Sequence, residues 1–310
     1  MQNKKTPYIR RLGKDLKRYS GAYVMAIPVV AFYLLFCYKP MYGIIIAFKD
    51  YSPAAGIWGS DWASNHGLQN FIDFFQSYYF GRILKNTLVI SLTSILFGFP
   101  APIILALLLN ELRNEKFKRI TQTISYMPHF ISLVVICSMI KMFTSDKGLV
   151  TYLLSFLGGP EISLLTKPQY FVPIYVISGI WQELGWGAII YLAALSGIDQ
   201  ELYEAAYVDG IKNRAQEIIY ITIPSMKPQM LFGAVMSIVN AFNMGWIGVA
   251  LAGANPTPEY SGQLIANHID DYAFVRYEMG YAAAVSVALL CLVWVCSQIA
   301  NKLFTEKDEY

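Results

Sequence analysis

The chain has 310 residues, of which 55% are hydrophobic and 15% charged, with a mean hydropathy of +0.42 and a net charge of +3. Those proportions exclude an ordinary soluble domain of this length, because too few polar side chains remain to face water. Lipid is the expected solvent, and no nucleic-acid partner is expected.

In chain order, residues 1–21 form a basic segment on the cytoplasmic side. Within it RRLGKDLKRYS at 10–20, interspersed with apolar Leu12 and Leu16 and preceded by Ile9, fits two readings: an amphipathic helix along the inner headgroups, or a solvated positive anchor. The apolar run from Ala22 is followed by Lys39 and Pro40, with no small-residue cleavage site, so a retained span is expected and not a signal peptide. Six windows are apolar over enough length to cross a hydrocarbon core of about 30 Å. They are 22–38 (or on to 48), 86–110, 119–143, 170–196, 230–252 and 280–303. Continuous apolar runs favour helices over the alternating short strands of a barrel. The expectation is an all-α integral membrane protein, with a six-span domain over 22–304 and a short tail at 305–310.

Basic residues fix an orientation, since they gather on the cytoplasmic side of bacterial inner membranes. With both termini inside, the inner segments hold 16 of the 24 Lys and Arg and the longer outer segments hold 8. The outer loop at 56–80 is aromatic and suits either docking of an extracytoplasmic protein or an interfacial belt, the belt being favoured at 71–80. The loop at 253–280 is acidic and turn-prone, and suits docking of an extracytoplasmic partner.

Polar residues inside two windows stand out. Gln182, Glu183 and Trp186 lie near the centre of the fourth, and Ser237, Asn240, Asn243 and Trp246 in the fifth. A charge at mid-bilayer costs at least about 2.5 kcal/mol, so Glu183 must face a cavity or a buried partner. Amides beside aromatic rings suit a sugar, whose hydroxyls need donors and acceptors and whose C–H faces need flat apolar surfaces. Hydrogen bonding between packed helices is the competing account of these residues. His129, after Pro128 in the third window, reads as a packed or kink-associated side chain.

Between the fourth and fifth windows lies a polar island, 199–229, that must sit in water or against a partner. Glu204, Ala205 and Ala206 open a good helix former, and Asp209-Gly210 supplies a turn. Isoleucines at 218, 219, 221 and 223 then lead to Pro224 and Pro228. The reading is helix, turn, helix. Catalytic motifs are missing: the sequence has no phosphate-cradling G-x-x-x-x-G-K-[ST], no H-E-x-x-H and no G-x-S-x-G. The chain is therefore not expected to be an enzyme or to carry a metal or cofactor. Cys37, Cys137, Cys291 and Cys296 lack ligand spacing and read as small packing residues.

The island EAAYVDGIKNRAQEIIYITIPSMKP at 204–228 resembles the EAA loop of permease subunits of binding-protein-dependent ABC importers. PMYGIIIAFKDYSP at 40–53, GLQNF and LKNTLVIS within 67–91, and YMPHFIS at 126–132 extend the resemblance to carbohydrate permeases of the polysaccharide, LplB-like group, related to the maltose permeases. One departure is visible: the stretch from Gly210 to Ile221 is one residue longer than the family pattern, and Ile223 stands where the pattern has leucine.

The resemblance implies a type I importer fold in the bacterial cell membrane. The partners it implies are a second permease, two ATPase subunits that hold the ATP, and an extracytoplasmic binding protein that delivers a carbohydrate. It places Glu204, Ala205, Ala206, Asp209, Gly210 and Pro224 against the ATPase, and puts the substrate between the spans flanking the loop. An ion-coupled secondary transporter of a small polar solute is the alternative, although no inverted repeat or discontinuous span is evident. A membrane enzyme would need a His, Asp or Cys cluster near an interface, which the sequence lacks.

Overall fold

The computed structural model of the chain describes residues 18–243 and 262–305, and among them the fold is helical, with a single isolated β-bridge between Lys49 and Trp62. The first helix, α1 (Ser20–Phe48), passes through a π turn at Tyr33–Tyr38 and ends in a 3₁₀ stretch, Tyr42–Phe48. It buries only Ala47 against the rest of the chain. The remainder of its apolar surface is left for lipid or another subunit. An outer amphipathic helix, α2 (Gln69–Gln76), leads into α3 (Phe80–Gly98) and α4 (Pro100–Glu111), which run on as one 32-residue span.

The third apolar window is not a straight span. Helices α5 (Glu115–Tyr126) and α6 (Leu133–Phe143) are separated by a 3₁₀ turn, Met127–Phe130, and the two arms bend by 100°. Proline is the physical cause. Pro128 has no N–H to donate and cannot continue the helical ladder, and Ile131 follows in an extended conformation. After the short α7 (Leu149–Phe156) comes α8 (Pro168–Ser196), whose 29 residues are ample for a crossing. By length and apolarity together, three helices qualify as spans, α1, α3–α4 and Met279–Phe304, and a fourth if the bent pair is one. Its polar centre, Gln182-Glu183, keeps α8 from qualifying, and the fifth window runs beyond residue 243.

The loop helix α9 (Gln200–Val208) and the short α10 (Arg214–Glu217) precede α11 (Lys227–Asn243). An outer helix α12 (Ile265–Asp270) and the long α13 (Met279–Thr305) complete the chain. Three apolar clusters hold the bundle. At one end, Phe74, Ile83, Phe242, Ile265, Tyr281 and Val285 join α2, α3, α11, α12 and α13. In the middle, Ile90, Cys137, Phe171 and Tyr175 join α3, α6 and α8. Toward the loop, Ile103, Ala106, Ala188, Tyr191, Leu195 and Met226 lock α4, α8 and the start of α11.

Each fully buried side chain of this size contributes about 1.5–3 kcal/mol relative to exposure in water. In lipid that drive is absent, and close packing takes its place. Gly185 shows how close. A Cβ there would stand 2.1 Å from the Ser125 carbonyl oxygen, so α8 crosses α5 backbone against backbone. No disulfide forms among the four cysteines, and no group of His, Cys, Asp and Glu with metal-holding geometry occurs among the described residues.

Candidate functional site

Two polar regions stand apart from the packing. The first is the loop. Asp199 caps α9, its carboxylate accepting from the Glu201 N–H at 3.1 Å. Gly210 terminates it in the left-handed region, φ +96°. The Ile211 N–H reaches back to the Ala206 carbonyl at 3.0 Å and the Gly210 N–H to that of Tyr207 at 3.3 Å. That is a Schellman end, which satisfies two otherwise orphaned carbonyls and needs a residue without a Cβ penalty at this position. The reading of Asp209-Gly210 as the turn between two helices is therefore what the backbone does.

Beyond the turn, Asn213 caps α10 through the Gln216 N–H at 2.9 Å, and a π turn at Ile218–Thr222 follows. A π turn closes i→i+5 and so holds one residue more than an α turn. Pro224 follows in the helical turn Ile223–Ser225. The Thr222 hydroxyl donates to the Glu217 carbonyl at 3.3 Å and lies 3.0 Å from the Tyr203 hydroxyl, tying α9 to the π turn.

The loop is anchored to the bundle by Arg214. Its guanidinium forks onto Glu111, Nε to Oε1 at 2.9 Å and Nη2 to the same oxygen at 2.7 Å, with Glu217 on the other side. The hydrogen bonds to Glu111 hold its proton more tightly than in water, ahead of the contribution of Glu217. Since Glu111 ends α4, the loop and that helix end lie on one face of the bundle. Of the candidate coupling residues, Ala206 is buried and Glu204, Ala205, Asp209, Gly210 and Pro224 are exposed. Leu202, Tyr207 and Val208 are also exposed, Val208 at 87%. A cavity of about 500 Å³ opens beside them, between the end of α8 and the start of α11.

The second region is the centre of α8. Glu183 Oε2 lies 3.0 Å from His129 Nδ1, and the His129 ring is stacked on Trp186 at 4.4 Å with the planes parallel. Phe130 meets Trp186 edge-on at 5.8 Å. His129 and Phe130 lie in the 3₁₀ turn that contains Pro128, just ahead of the bend at 131–132, and meet α8 from there. Gln182 is half-buried beside this group. On α11, Ser237 is half-buried and Asn240 exposed. Asn243 is the last described residue of that helix, and Trp246 lies outside the described residues, as do residues 253–261 of the acidic loop at 253–280. At the described end of that loop Arg276 pairs with Asp271 at 2.8 Å, leaving Asp270 and Glu278 as its remaining acidic groups.

Sequence reasoning took His129 for a packed or kink-associated side chain and passed over Glu111. The signal for His129 was the proline before it, which marks a break and hence a side chain redirected to a neighbour. Glu111 closes an apolar helix at a water-facing end, and nothing local marked its partner 103 residues away.

Comparison with known proteins agrees with this anatomy. The chain is 38% identical to protein LplB of Bacillus subtilis (strain 168) over 300 residues, 94% of this chain and 92% of LplB. It is equally identical to the polygalacturonan/rhamnogalacturonan transport system permease protein YteP of the same organism, over 95% of this chain and 90% of YteP. Among solved structures it superposes on a chain of a bacterial ABC transporter that imports the acidic polysaccharide alginate, with a TM-score of 0.81 and 36% identity, covering 96% of this chain and all of that one. A family model, binding-protein-dependent transport system inner membrane component, matches residues 98–302, and the chain belongs to that family of multi-pass membrane permeases.

Proposed function

We propose that this chain is one of two permease subunits of an ATP-driven importer, forming half of the path for an oligosaccharide handed over by an extracytoplasmic binding protein. The observation that carries the reading is the loop: a helix that ends on Gly210, exposes Leu202, Tyr207 and Val208, and is clamped to α4 through Arg214. Exposed apolar side chains on a polar segment need a protein partner. A separate ATPase subunit, two copies per complex, supplies it and holds the ATP, so the chain itself needs no cofactor. Closure of the ATPases would pull on α9, and the clamp would pass that movement to α4 and α8.

Support for the substrate class comes from YteP and the alginate importer, whose names specify polysaccharides, and from a solved complex in which that importer carries an alginate pentasaccharide-bound periplasmic protein. The six-span count, with 1–21, the loop 199–229 and 305–310 on the cytoplasmic side, rests on the charge asymmetry and on the 29-residue length of α8. Family membership leaves no observation in favour of an ion-coupled carrier.

The test is reconstitution of the chain with its neighbouring permease and ATPase in proteoliposomes. ATP hydrolysis should rise on addition of a saccharide-loaded binding protein and not of the empty protein. An assembled complex that transports its solute with an ion gradient and no ATP would refute the reading.

A further inference from the structure

Resting on that reading, we infer that Glu183, held by His129 and flanked by Trp186, is a hydroxyl-binding subsite that accepts an uncharged sugar ring and disfavours a uronate at this level of the path. The side chain of Glu183 is 48% exposed and that of His129 28%, so the carboxylate is the member of the pair that faces open space. Facing lipid there would cost several kcal/mol, so the carboxylate looks into a cavity or onto a partner, and the path between two permeases offers both. One carboxylate oxygen is engaged by the imidazole, and the other remains to accept hydrogen bonds. A carboxylate accepts and cannot donate, which suits hydroxyls and repels a second carboxylate. Trp186 is 45% exposed. His129 covers one face of its indole and Phe130 meets it edge-on, leaving apolar ring surface for the C–H face of a sugar.

His129 is the positioning residue of the set. It sits in the 3₁₀ turn Met127–Phe130 that ends the first arm, 54 residues from its partner, and fixes one oxygen of Glu183 while stacking on Trp186. Without it the carboxylate is free to swing, and a hydrogen bond to a charged acceptor is worth about 1.5–3 kcal/mol, roughly tenfold or more in affinity.

The experiment is uptake by the complete reconstituted importer with its own binding protein, offered neutral oligosaccharides and uronate oligosaccharides of equal length. Because the binding protein is unchanged throughout, any change in the neutral-to-uronate ratio reports the permease. Glu183→Gln should lower that ratio at least about fivefold, since the amide removes the charge and keeps the shape. His129→Ala should raise the half-saturating concentration of the neutral sugar about tenfold, and His129→Asn, which puts an amide N–H near the place of Nδ1, should restore most of it.

A ratio that stays within about twofold of wild type in Glu183→Gln complexes overturns the charge preference. Equal effects of His129→Ala and His129→Asn overturn the positioning role and stand as the test if Glu183→Gln fails to assemble. A wild-type complex that takes up neither class of saccharide defeats the importer reading itself, and the subsite falls with it.

Discussion

The loop at 199–226 and the cluster around Glu183 are both polar exceptions in an apolar chain, yet they are built by opposite means. The loop makes its own geometry: cap, turn, second cap and π turn all come from residues within a few positions of one another, and one long-range ion pair fixes it to α4. The cluster has almost no local geometry. It exists because a break at Pro128 redirects His129 and because Gly185 lets α8 come close enough to be met. A function that depends on docking a partner can be encoded in a short, self-sufficient module. A function that depends on a cavity between helices needs several distant choices to agree, and is exposed to any change in how those helices pack.

The most damaging substitution to the first region should be Gly210→Pro. Proline is locked near φ −65°, against the +96° observed, and has no N–H to give the Tyr207 carbonyl. Binding-protein-stimulated ATP hydrolysis should fall by more than about tenfold, whereas Gly210→Ala, which strains the left-handed position by about 1 kcal/mol, should cost only a few-fold. Equal activity in both variants with a normally assembled complex would mean the loop does not couple.

The corresponding blow to the second region is Gly185→Ala. With Ser125 backbone 2.1 Å from the new Cβ, α8 and α5 must move apart, at a cost of about 1–3 kcal/mol. The expected result is a lowered melting temperature of the purified complex together with loss of saccharide stimulation, because Glu183 and His129 part along with the helices. Retention of both would show that the cluster tolerates loose packing, and would remove the contrast with the loop.

These differences also explain what the sequence disclosed. The helices were legible as apolar windows, and α8 and α13 match their windows within two residues at each end. The helix-turn-helix of the loop was legible because Asp209-Gly210 is a local signal with a local cause. The extra residue before Ile221 was visible as a departure, and the π turn at Ile218–Thr222 was not, since no residue type marks a π turn. The straight third span failed at Pro128. An apolar count over 119–143 is blind to a single missing N–H, yet that N–H decides the path of the backbone and brings His129 to Glu183. The polar face of α8 was read from Gln182, Glu183 and Trp186, and the partner of Glu183 could only be supplied by the fold.

A milder lever acts at the end of the bundle away from the loop, through His268. Its ring is 2% exposed, hydrogen-bonded through Nε2 to the Tyr281 hydroxyl at 3.1 Å and surrounded by Phe74, Tyr79 and Tyr272. Burial pushes its pKa down from 6.5 to about 4, partly offset by Asp271 and reinforced by Arg276. The folded state therefore binds the proton less readily than the unfolded one. Stability is complete above about pH 6.5 and declines as the pH falls toward 4. The melting temperature of the complex should drop between pH 7 and pH 5, and His268→Asn should flatten that slope while lowering the plateau. A wild-type slope unchanged in the variant would place the sensitivity elsewhere.

The smallest effect expected is the one that best tests how self-sufficient the loop is. Arg214 and Glu111 are about half exposed, at 46% and 40%, so water screens their attraction even though the contact is bidentate. Arg214→Ala, Glu111→Ala and the double variant form a cycle, and their coupling energy in thermal or denaturant unfolding should be about 1 kcal/mol or less. Glu217 and the ring of Tyr203, 5.9 Å from the guanidinium, keep partial hold of Arg214 when Glu111 is removed, which reduces the coupling further. Activity should respond more than stability does: if the clamp carries motion from α9 to α4, either single variant should lower stimulated ATP hydrolysis several-fold with the basal rate and assembly unchanged. Coupling well above 1 kcal/mol would mean that the loop depends on the bundle for its fold. A null effect on stimulated hydrolysis would mean that the movement of α9 reaches the membrane by another route, through Met226 and the start of α11.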